Sequence, residues 1–332
     1  MLSRKYFAYI SKTLLLGGVL FFFLFLSYRI QNPQLPTKSF PIQLYSNQTG
    51  DDLKKVFLGA IQKAKKSLFL QIYGFTDETL IKKVTEASKK GIDIQVFYDP
   101  SGSSSLKKKI PEATALIGRG LMHKKILVLD RKKVFIGTAN FTPTSLCMHD
   151  NVVIGLYSKE IAHFLEDSLE NKLFFVVGKQ NGELWLLPDF QNQCLTSLLQ
   201  KIRNAKHSIQ VALFTFTHPK IIEALIEAQS KGVLVEVALD FYSAKGASQK
   251  AVEALNKANI PLFISQGGKL LHHKWGIIDG KTLLLGSANW TKSAFEKNED
   301  CLLVLNNLSQ KQLKYFSKIW KDIKSNCNNK ES

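Results

Sequence analysis

Apolar runs of strand length alternate with amphipathic helical stretches from Ile42 onward. Residues 51–66 place apolar side chains at helical spacing, and residues 67–75, SLFLQIYGF, form a nearly continuous apolar run typical of a buried strand. A second helical stretch at 77–90 and a second apolar run at 92–98 follow. Strands that alternate with helices favour an α/β fold in which a mostly parallel sheet is covered by helices on both faces.

The second half of the chain repeats this order. The tetrapeptide AKKS at 64–67 corresponds to AKHS at 205–208, and Gly91 and Asp99 correspond to Gly232 and Asp240, all at an offset of 141. A repeat of this length is too long for a solenoid unit of roughly 20–50 residues. We therefore predict a duplicated domain with one lobe at 41–178 and a second at 179–332, related by a pseudo-twofold axis that brings their equivalent surfaces face to face.

The N-terminal region has the composition of a membrane segment. Residues 13–28, TLLLGGVLFFFLFLSY, carry no charge and follow a basic start. Because the exit of this segment is bulky and offers no small-x-small cleavage site, a membrane anchor within residues 1–30 is favoured over a cleaved signal peptide. The basic flank predicts a catalytic body on the non-cytoplasmic side, or a secreted protein if the segment is cleaved. Residues 31–40, which include Pro33 and Pro36, form a linker.

One stretch occurs twice, as LMHKKILVLDRKKVFIGTAN at 121–140 and as LLHHKWGIIDGKTLLLGSAN at 270–289. Each copy contains His-x-Lys, an Asp, and a Gly-Thr/Ser-Ala-Asn turn, and every spacing is kept at an offset of 149. The matched residues are His123, Lys125, Asp130, Thr138 and Asn140 in the first copy and His272, Lys274, Asp279, Ser287 and Asn289 in the second. Two complete sets in register indicate a functional site, whereas a single His-x-Lys would not.

These residue types suit the chemistry of a phosphodiester. The His and Lys of each copy lie at i and i+2, so they share one face of a strand, whereas the odd offset of Asp130 and Asp279 places them on the other face and favours a structural role. Lysines and amides neutralise the non-bridging oxygens, while one imidazole attacks phosphorus and the other protonates the leaving alcohol. Asp150 and Glu299, each ten residues after a motif Asn, could orient a histidine by accepting its second N–H. No metal ion or other cofactor is required by this set.

The duplicated pattern resembles the signature of the phospholipase D superfamily, a repeated HxKxxxxD motif followed by GSxN. The resemblance implies a two-lobed α/β sandwich, one active site at the lobe interface and a covalent phosphohistidine intermediate, with His123 as nucleophile and His272 as general acid. It counts six motif residues as catalytic: His123, Lys125, Asp130, His272, Lys274 and Asp279. The phosphate-binding positions it implies are Lys125, Lys274, Asn140 and Asn289. The supporting positions are Thr138, Ser287, Asp150 and Glu299.

The charge of the chain indicates the kind of partner that it can bind, and its cysteine spacing indicates free thiols. The net charge is +18, and the first 40 residues hold five basic and no acidic residues, so +13 belongs to the body. A surface of this sign favours anionic lipid or nucleic acid. The four cysteines, Cys147, Cys194, Cys301 and Cys327, show no metal-binding spacing, and isolated thiols are favoured over a disulfide framework.

The membrane segment favours a phospholipid substrate, either hydrolysed or used for phosphatidyl transfer. A membrane-anchored or exported metal-independent nuclease would use the same two histidines and is the alternative. A non-catalytic module that binds anionic lipid or nucleic acid is a distant third, because binding alone would not require both intact motifs. Since one chain carries both half-sites, a monomer suffices for activity.

Overall fold

Two β-sheets form the framework of the part of the chain that the structure, a computed structural model, describes: residues 33–189 and 191–328. The predicted anchor or signal segment at 1–30 lies outside these residues. Within the described ranges, no helix combines the length and the apolar character needed to cross a bilayer.

The first sheet and its helices come from the first half of the chain. Its strands are β1 (Ile42–Ser46), β2 (Ser67–Ile72), β3 (Asp93–Tyr98), β4 (Thr114–Ala115), β5 (Lys125–Leu129), β6 (Lys133–Gly137) and β7 (Val152–Tyr157). Its helices are a 3-10 turn at Asn47–Thr49, α1 (Leu53–Gln62), α2 (Glu78–Lys89), α3 (Leu106–Lys109), α4 (Pro143–Cys147) and α5 (Lys159–Asp167).

The second sheet repeats this plan with two additional strands. Its strands are β8 (Lys172–Val177), β9 (Gln180–Leu187), β10 (Ser208–Leu213), β11 (Leu234–Leu239), β12 (Leu262–Ser265), β13 (Lys274–Ile278), β14 (Thr282–Gly286), β15 (Asp300–Leu305) and β16 (Cys327–Asn328). Its helices are α6 (Gln193–Arg203), α7 (Pro219–Ser230), α8 (Phe241–Lys245), α9 (Gln249–Lys257), α10 (Lys292–Glu296) and α11 (Gln310–Ser325). Because β8 pairs with β9, residues 172–177 belong to this second sheet, although the sequence repeat assigns them to the first lobe.

The prediction of mostly parallel sheets is wrong. The strand orders are β1-β7-β6-β5-β2-β3-β4 and β16-β12-β11-β10-β13-β14-β15-β9-β8. Among the described strands, the parallel pairs are β2–β3, β3–β4, β10–β11 and β11–β12, and the other pairs are antiparallel. A parallel pair needs a long crossover, which α2 and α7 supply for β2–β3 and β10–β11, whereas the turn after each motif strand is too short and reverses the chain.

The two sheets pack face to face and share a central core. Ile126 and Val128 of β5 lie in the same apolar cluster as Trp275 and Ile277 of β13. The alternate residues of β5, such as Leu127, face the helices of the first lobe instead. Helices cover the outer face of each sheet, whereas α5 and α11 contribute side chains to the shared central core. The two-lobed α/β architecture is confirmed.

Reciprocal contacts join the lobes beside the motifs. Met122 forms a β-bridge with Glu299, and Leu271 forms the equivalent bridge with Asp150. The backbone N–H of His123 donates to the carbonyl of Glu299 at 2.7 Å. The two bridges involve equivalent residues of the two lobes, so the interface has pseudo-twofold symmetry. The start of each motif strand therefore lies against the opposite lobe.

We expect Trp275→Ala to lower the free energy of unfolding by about 3–5 kcal/mol, because a large core side chain is lost and a cavity is left. Trp275 is fully buried and its ring centroid lies 5.1 Å from that of Phe316 and 5.7 Å from that of Trp320. Urea denaturation measures the change. Leu234→Ala, at a position that is 63% exposed, is the control and should cost less than ~0.5 kcal/mol. Equal losses in both variants would contradict a central core at Trp275.

Candidate active site

Four basic side chains from the two motifs are buried together at the lobe interface. His123 and His272 are each 8% exposed, Lys125 is 4% exposed and Lys274 is 1% exposed. Burial lowers the pKa of His272 well below its usual value, and Lys274, Lys125 and His123 lower it further. Burial likewise lowers the pKa of His123, with contributions from Lys125 and Lys274. Residues of both motifs share hydrogen-bond acceptors: His123 and Ser287 both contact Asp300 Oδ1, and His272 and Thr138 both contact Asn151 Oδ1. Both copies therefore lie in one site.

Each lysine folds back under the histidine that precedes it. The Nζ of Lys125 donates to the carbonyl of His123 at 2.6 Å, and the Nζ of Lys274 donates to the carbonyl of His272 at 3.0 Å. This contact is available because residues at i and i+2 of an extended strand project from the same side. Both side chains of each pair also lie against one aromatic ring, so the predicted placement of His and Lys on one face is present in both lobes.

An aromatic ring supports each His–Lys pair, and the sequence analysis did not select either ring. The Tyr73 ring centroid lies 5.3 Å from that of His123 and 5.4 Å from the Nζ of Lys125. Phe214 takes the equivalent place, 5.0 Å from the ring of His272 and 5.2 Å from the Nζ of Lys274. The faces of such rings stabilise nearby cations. The signal was present in the sequence, since Tyr73 and Phe214 correspond at the repeat offset of 141.

A side chain from the opposite lobe accepts a hydrogen bond from the Nδ1 of each histidine. His123 Nδ1 lies 2.9 Å from Asp300 Oδ1, and His272 Nδ1 lies 3.0 Å from Asn151 Oδ1. The sequence pattern predicts Glu299 and Asp150 in these places, and both predictions are wrong by one residue. Successive residues of an extended segment face opposite sides, so the neighbours of the true partners point away from the rings.

The two carboxylates that were expected to orient the histidines form ion pairs instead. Glu299 Oε2 accepts from the Nζ of Lys124 at 3.0 Å, and Asp150 Oδ1 lies 2.9 Å from the Nζ of Lys269. Burial raises the pKa of Asp150, and the ion pair with Lys269 opposes this effect. Both carboxylates therefore lie beside the site without contacting the histidine rings.

The hydrogen-bond network fixes the tautomer of His272. The Nδ2 of Asn151 donates to the carbonyl of Ser145 at 2.8 Å, so its Oδ1 is the acceptor. The hydroxyl of Thr138 accepts from the N–H of Val152 at 3.1 Å and donates to the same Oδ1 at 2.8 Å. His272 must therefore carry its proton on Nδ1, which leaves Nε2 for the substrate.

The equivalent network in the other half-site contains a carboxylate. The hydroxyl of Ser287 accepts from the N–H of Cys301 at 3.0 Å and donates to Asp300 Oδ1 at 2.7 Å. Burial raises the pKa of Asp300, but His123 and Lys125 outweigh burial and the pKa lies below its usual value. Asp300 is therefore ionised, and His123 donates to it through Nδ1–H. Ser287 acts on the histidine through this partner, as Thr138 does through Asn151.

The site is electrostatically prepared for an anion. Burial lowers the pKa of Lys125 to about 7, although Asp300 partly opposes the shift. Burial and the neighbouring Lys125 hold the pKa of Lys274 well below its usual value. A bound phosphate group would restore both ammonium charges, because an adjacent opposite charge favours the ionised form. Within residues 33–189 and 191–328, no group of three or more His, Cys, Asp or Glu side chains is arranged to hold a metal ion.

The motif asparagines lie at the turns that follow β6 and β14. Asn140 Oδ1 accepts from the N–H of Gly74 at 3.2 Å, which leaves its Nδ2 group as a donor. Asn289 Oδ1 is buried and has no hydrogen-bond partner among the described residues. The four cysteines are free thiols, and Cys147 is the exposed one.

The motif aspartates lie at the far ends of the motif strands and do not reach the site. Asp130 Oδ1 accepts from the backbone N–H groups of Lys65 and Lys66 at 2.8 and 2.7 Å, and Asp279 makes the equivalent bonds in the second lobe. Burial raises the pKa of Asp130, but these backbone donors outweigh burial and the pKa lies below its usual value. The structural role inferred from their odd offset fits this geometry, and a direct part in catalysis does not.

The chain is similar in sequence to several phosphodiester-processing proteins and similar in fold to a solved structure. The family model described as "Cardiolipin synthase, PLD-like domain" matches residues 57–173 and 198–320. A mitochondrial cardiolipin hydrolase of Xenopus laevis is 30% identical over 165 residues, covering 46% of this chain and 78% of that protein. A phospholipase D of Rickettsia felis is 28% identical over 126 residues, covering 36% of this chain and 63% of that protein. The solved phosphatidylserine synthase of Haemophilus influenzae shares the fold, with a TM-score of 0.69 and 12% identity over 91% of this chain and 90% of its own.

We expect Asp130→Asn to lower the free energy of unfolding at pH 7 by about 1–2 kcal/mol, because a charged acceptor of backbone N–H groups becomes neutral. Since the folded-state pKa of Asp130 is depressed, this contribution exists above the ordinary pKa of the carboxyl and is lost as the pH falls through the folded-state value. Urea denaturation at neutral and acidic pH measures both effects. Turnover well below the unfolding transition should stay near the wild-type rate. A large loss of turnover in the folded variant would instead place Asp130 in catalysis.

Proposed function

The chain belongs to the phospholipase D superfamily, and on that premise we propose that it hydrolyses the phosphodiester of phospholipids through a phosphohistidine intermediate. The names of its relatives support a phosphodiester hydrolase. The observation that carries the proposal is the burial of two His–Lys pairs from opposite lobes in one site. This arrangement presents two imidazoles and two ammonium groups to a single anionic group.

In the proposed first step, His123 Nε2 attacks phosphorus and the bond to the leaving alkoxide breaks. The negative charge of the bound phosphate group favours the doubly protonated His272, which donates its Nε2 proton to that alkoxide, and the alkoxide departs as an alcohol. In the second step, neutral His272 removes a proton from water, and the resulting hydroxide displaces His123 from phosphorus. Both histidines return to their starting protonation states. Attack by a second alcohol in place of water would give phosphatidyl transfer.

Lys125 and Lys274 act on the phosphate group in both steps. Their amino groups are positioned by the histidine carbonyls before substrate arrives, and the bound phosphate group favours their charged forms, so little reorganisation accompanies the reaction. The Nδ2 group of Asn140 and the amide of Asn289 are the further donors proposed for the non-bridging oxygens. Because the site is buried, each of these interactions is stronger than it would be in water.

Exposed apolar side chains beside the site favour a lipid surface over nucleic acid. Ile117 is 86% exposed, Leu121 is 40% exposed and Met148 is 56% exposed. Leu121 lies two residues before His123, and Met148 precedes His149, whose ring centroid is 6.1 Å from that of His272. The exposed cations Arg119, Lys269 and Lys297 lie on the neighbouring loops. Exposed apolar side chains with cations on neighbouring loops suit insertion between anionic headgroups, and an anchor at residues 1–30 would hold the body near such a surface.

We expect His123→Ala and His272→Ala each to lower kcat on a phospholipid diester by at least ~10³-fold, because nucleophile and acid act as a unit. The assay measures headgroup release from vesicles. His163→Ala is the control, since His163 lies on α5 with its side chain 75% exposed and its Nδ1 against Asp167. Near wild-type turnover in either motif variant would contradict the shared site.

We expect the double variant Ile117→Ser with Met148→Ser to cleave anionic vesicles roughly 10-fold more slowly, because apolar area that would enter the bilayer is removed. Its turnover of soluble bis(4-nitrophenyl) phosphate should be unchanged. Val176→Ser, at another exposed position on β8, is the matched control and should alter neither rate. Single-stranded DNA is assayed in parallel, and faster cleavage of DNA than of vesicles by the wild type would favour the nuclease alternative.

A further inference from the structure

The two half-sites are equivalent in sequence and in most contacts, yet the buried residue that contacts the Nδ1 of each histidine differs in charge. Asp300 and Asn151 stand at matching places, each accepting from the Nδ1 of a histidine and from a Ser or Thr hydroxyl. Asp300 is fully buried, as is Asn151. A carboxylate therefore faces His123, whereas a neutral amide of nearly the same shape faces His272.

This difference affects the two proposed roles in opposite directions. A histidine that attacks phosphorus through Nε2 while it carries a proton on Nδ1 becomes cationic, and an ionised carboxylate at Nδ1 stabilises that charge. A histidine that donates its Nε2 proton passes from cation to neutral imidazole. A carboxylate at its Nδ1 would favour the cation and hold the proton, whereas an amide oxygen does not.

The amide also fixes the product of proton donation. Asn151 Oδ1 can only accept, because its Nδ2 is engaged by the carbonyl of Ser145. After His272 has donated its Nε2 proton, the proton that remains is the one on Nδ1, in the bond to Asn151. The neutral ring therefore presents a lone pair at Nε2, which is the form needed to remove a proton from water in the second step.

We propose that the acid–amide difference between Asp300 and Asn151 decides which histidine is the nucleophile and which is the general acid. This inference rests on the proposed function. Both are positioning residues, because they act on the substrate only through the ring that they contact. Exchange of the two side chains should then exchange the roles of His123 and His272.

The experiment maps the covalent intermediate in the full chain. Wild type, Asp300→Asn, Asn151→Asp and the double variant are mixed with bis(4-nitrophenyl) phosphate and quenched rapidly in alkali, where phosphohistidine survives, and the labelled peptide is identified by mass spectrometry. In the wild type, the nitrophenylphosphoryl group should be found on His123. In the double variant it should be found on His272. Label confined to His123 in a folded double variant would overturn the inference.

Single variants provide a second readout that does not depend on the double variant folding. Asp300→Asn should slow release of 4-nitrophenol and turnover of an alkyl diester alike, by about 10–100-fold, because attack itself is weakened. Asn151→Asp should slow the alkyl diester by a similar factor but leave the first release of 4-nitrophenol nearly unchanged, because this leaving group needs little protonation. Equal effects of Asn151→Asp on both substrates would contradict the inference.

The phosphohistidine mechanism and the role of Asp300 and Asn151 are refuted by different results. A wild-type enzyme that cleaves the diester without labelling either histidine would refute the proposed phosphohistidine mechanism. Label on His123 in the wild type that persists there after the exchange would leave that mechanism intact and refute only the role of Asp300 and Asn151. Label on His272 in the wild type would reverse the assignment and refute the inference directly.

Discussion

Hydrogen bonds that cross between the lobes are the constraint on which the active site depends. His123 of the first lobe is held by Asp300 of the second, and His272 of the second lobe is held by Asn151 of the first. Each histidine is therefore oriented by a side chain that its own lobe cannot supply. The reciprocal β-bridges beside the motifs set the spacing that these bonds require. A change in the packing of the central core would alter ring positions without touching a motif residue.

The site concentrates buried positive charge, which is unfavourable for folding without compensation. Internal carbonyls, two aromatic rings and one carboxylate provide part of that compensation. Burial nevertheless lowers the pKa of Lys125 to about 7, so these contacts offset only part of the cost of burying its charge. An anionic phosphate group completes the balance, so the same arrangement that is costly in the empty protein favours substrate. Stability and function are in this sense opposed at the lobe interface.

Duplication allowed the two halves to diverge while the architecture stayed symmetric. Phe214 takes the place in one half-site that Tyr73 takes in the other, and Asn151 likewise replaces Asp300. These differences lie beside the histidines, whereas the aspartates that fix the far ends of the motif strands are the same in both lobes. A two-step displacement needs a nucleophile and an acid, and chemically distinct half-sites within one chain can provide both.

The sequence by itself determined the duplication, the positions of the motif residues and the pairing of each histidine with its lysine, because these follow from fixed spacings and from strand alternation. Strand alternation also favoured a structural role for Asp130 and Asp279, although the family resemblance counted them as catalytic. Only the tertiary structure decided the direction of most strands. A short turn after β5 or β13 reverses the chain, whereas an apolar run predicts a buried strand without indicating whether it is parallel or antiparallel to its neighbours. The tertiary structure also decided that Asn151 and Asp300, rather than their neighbours, meet the rings. That choice depends on the register between two lobes distant in sequence, and a one-residue change in register turns every side chain to the opposite face.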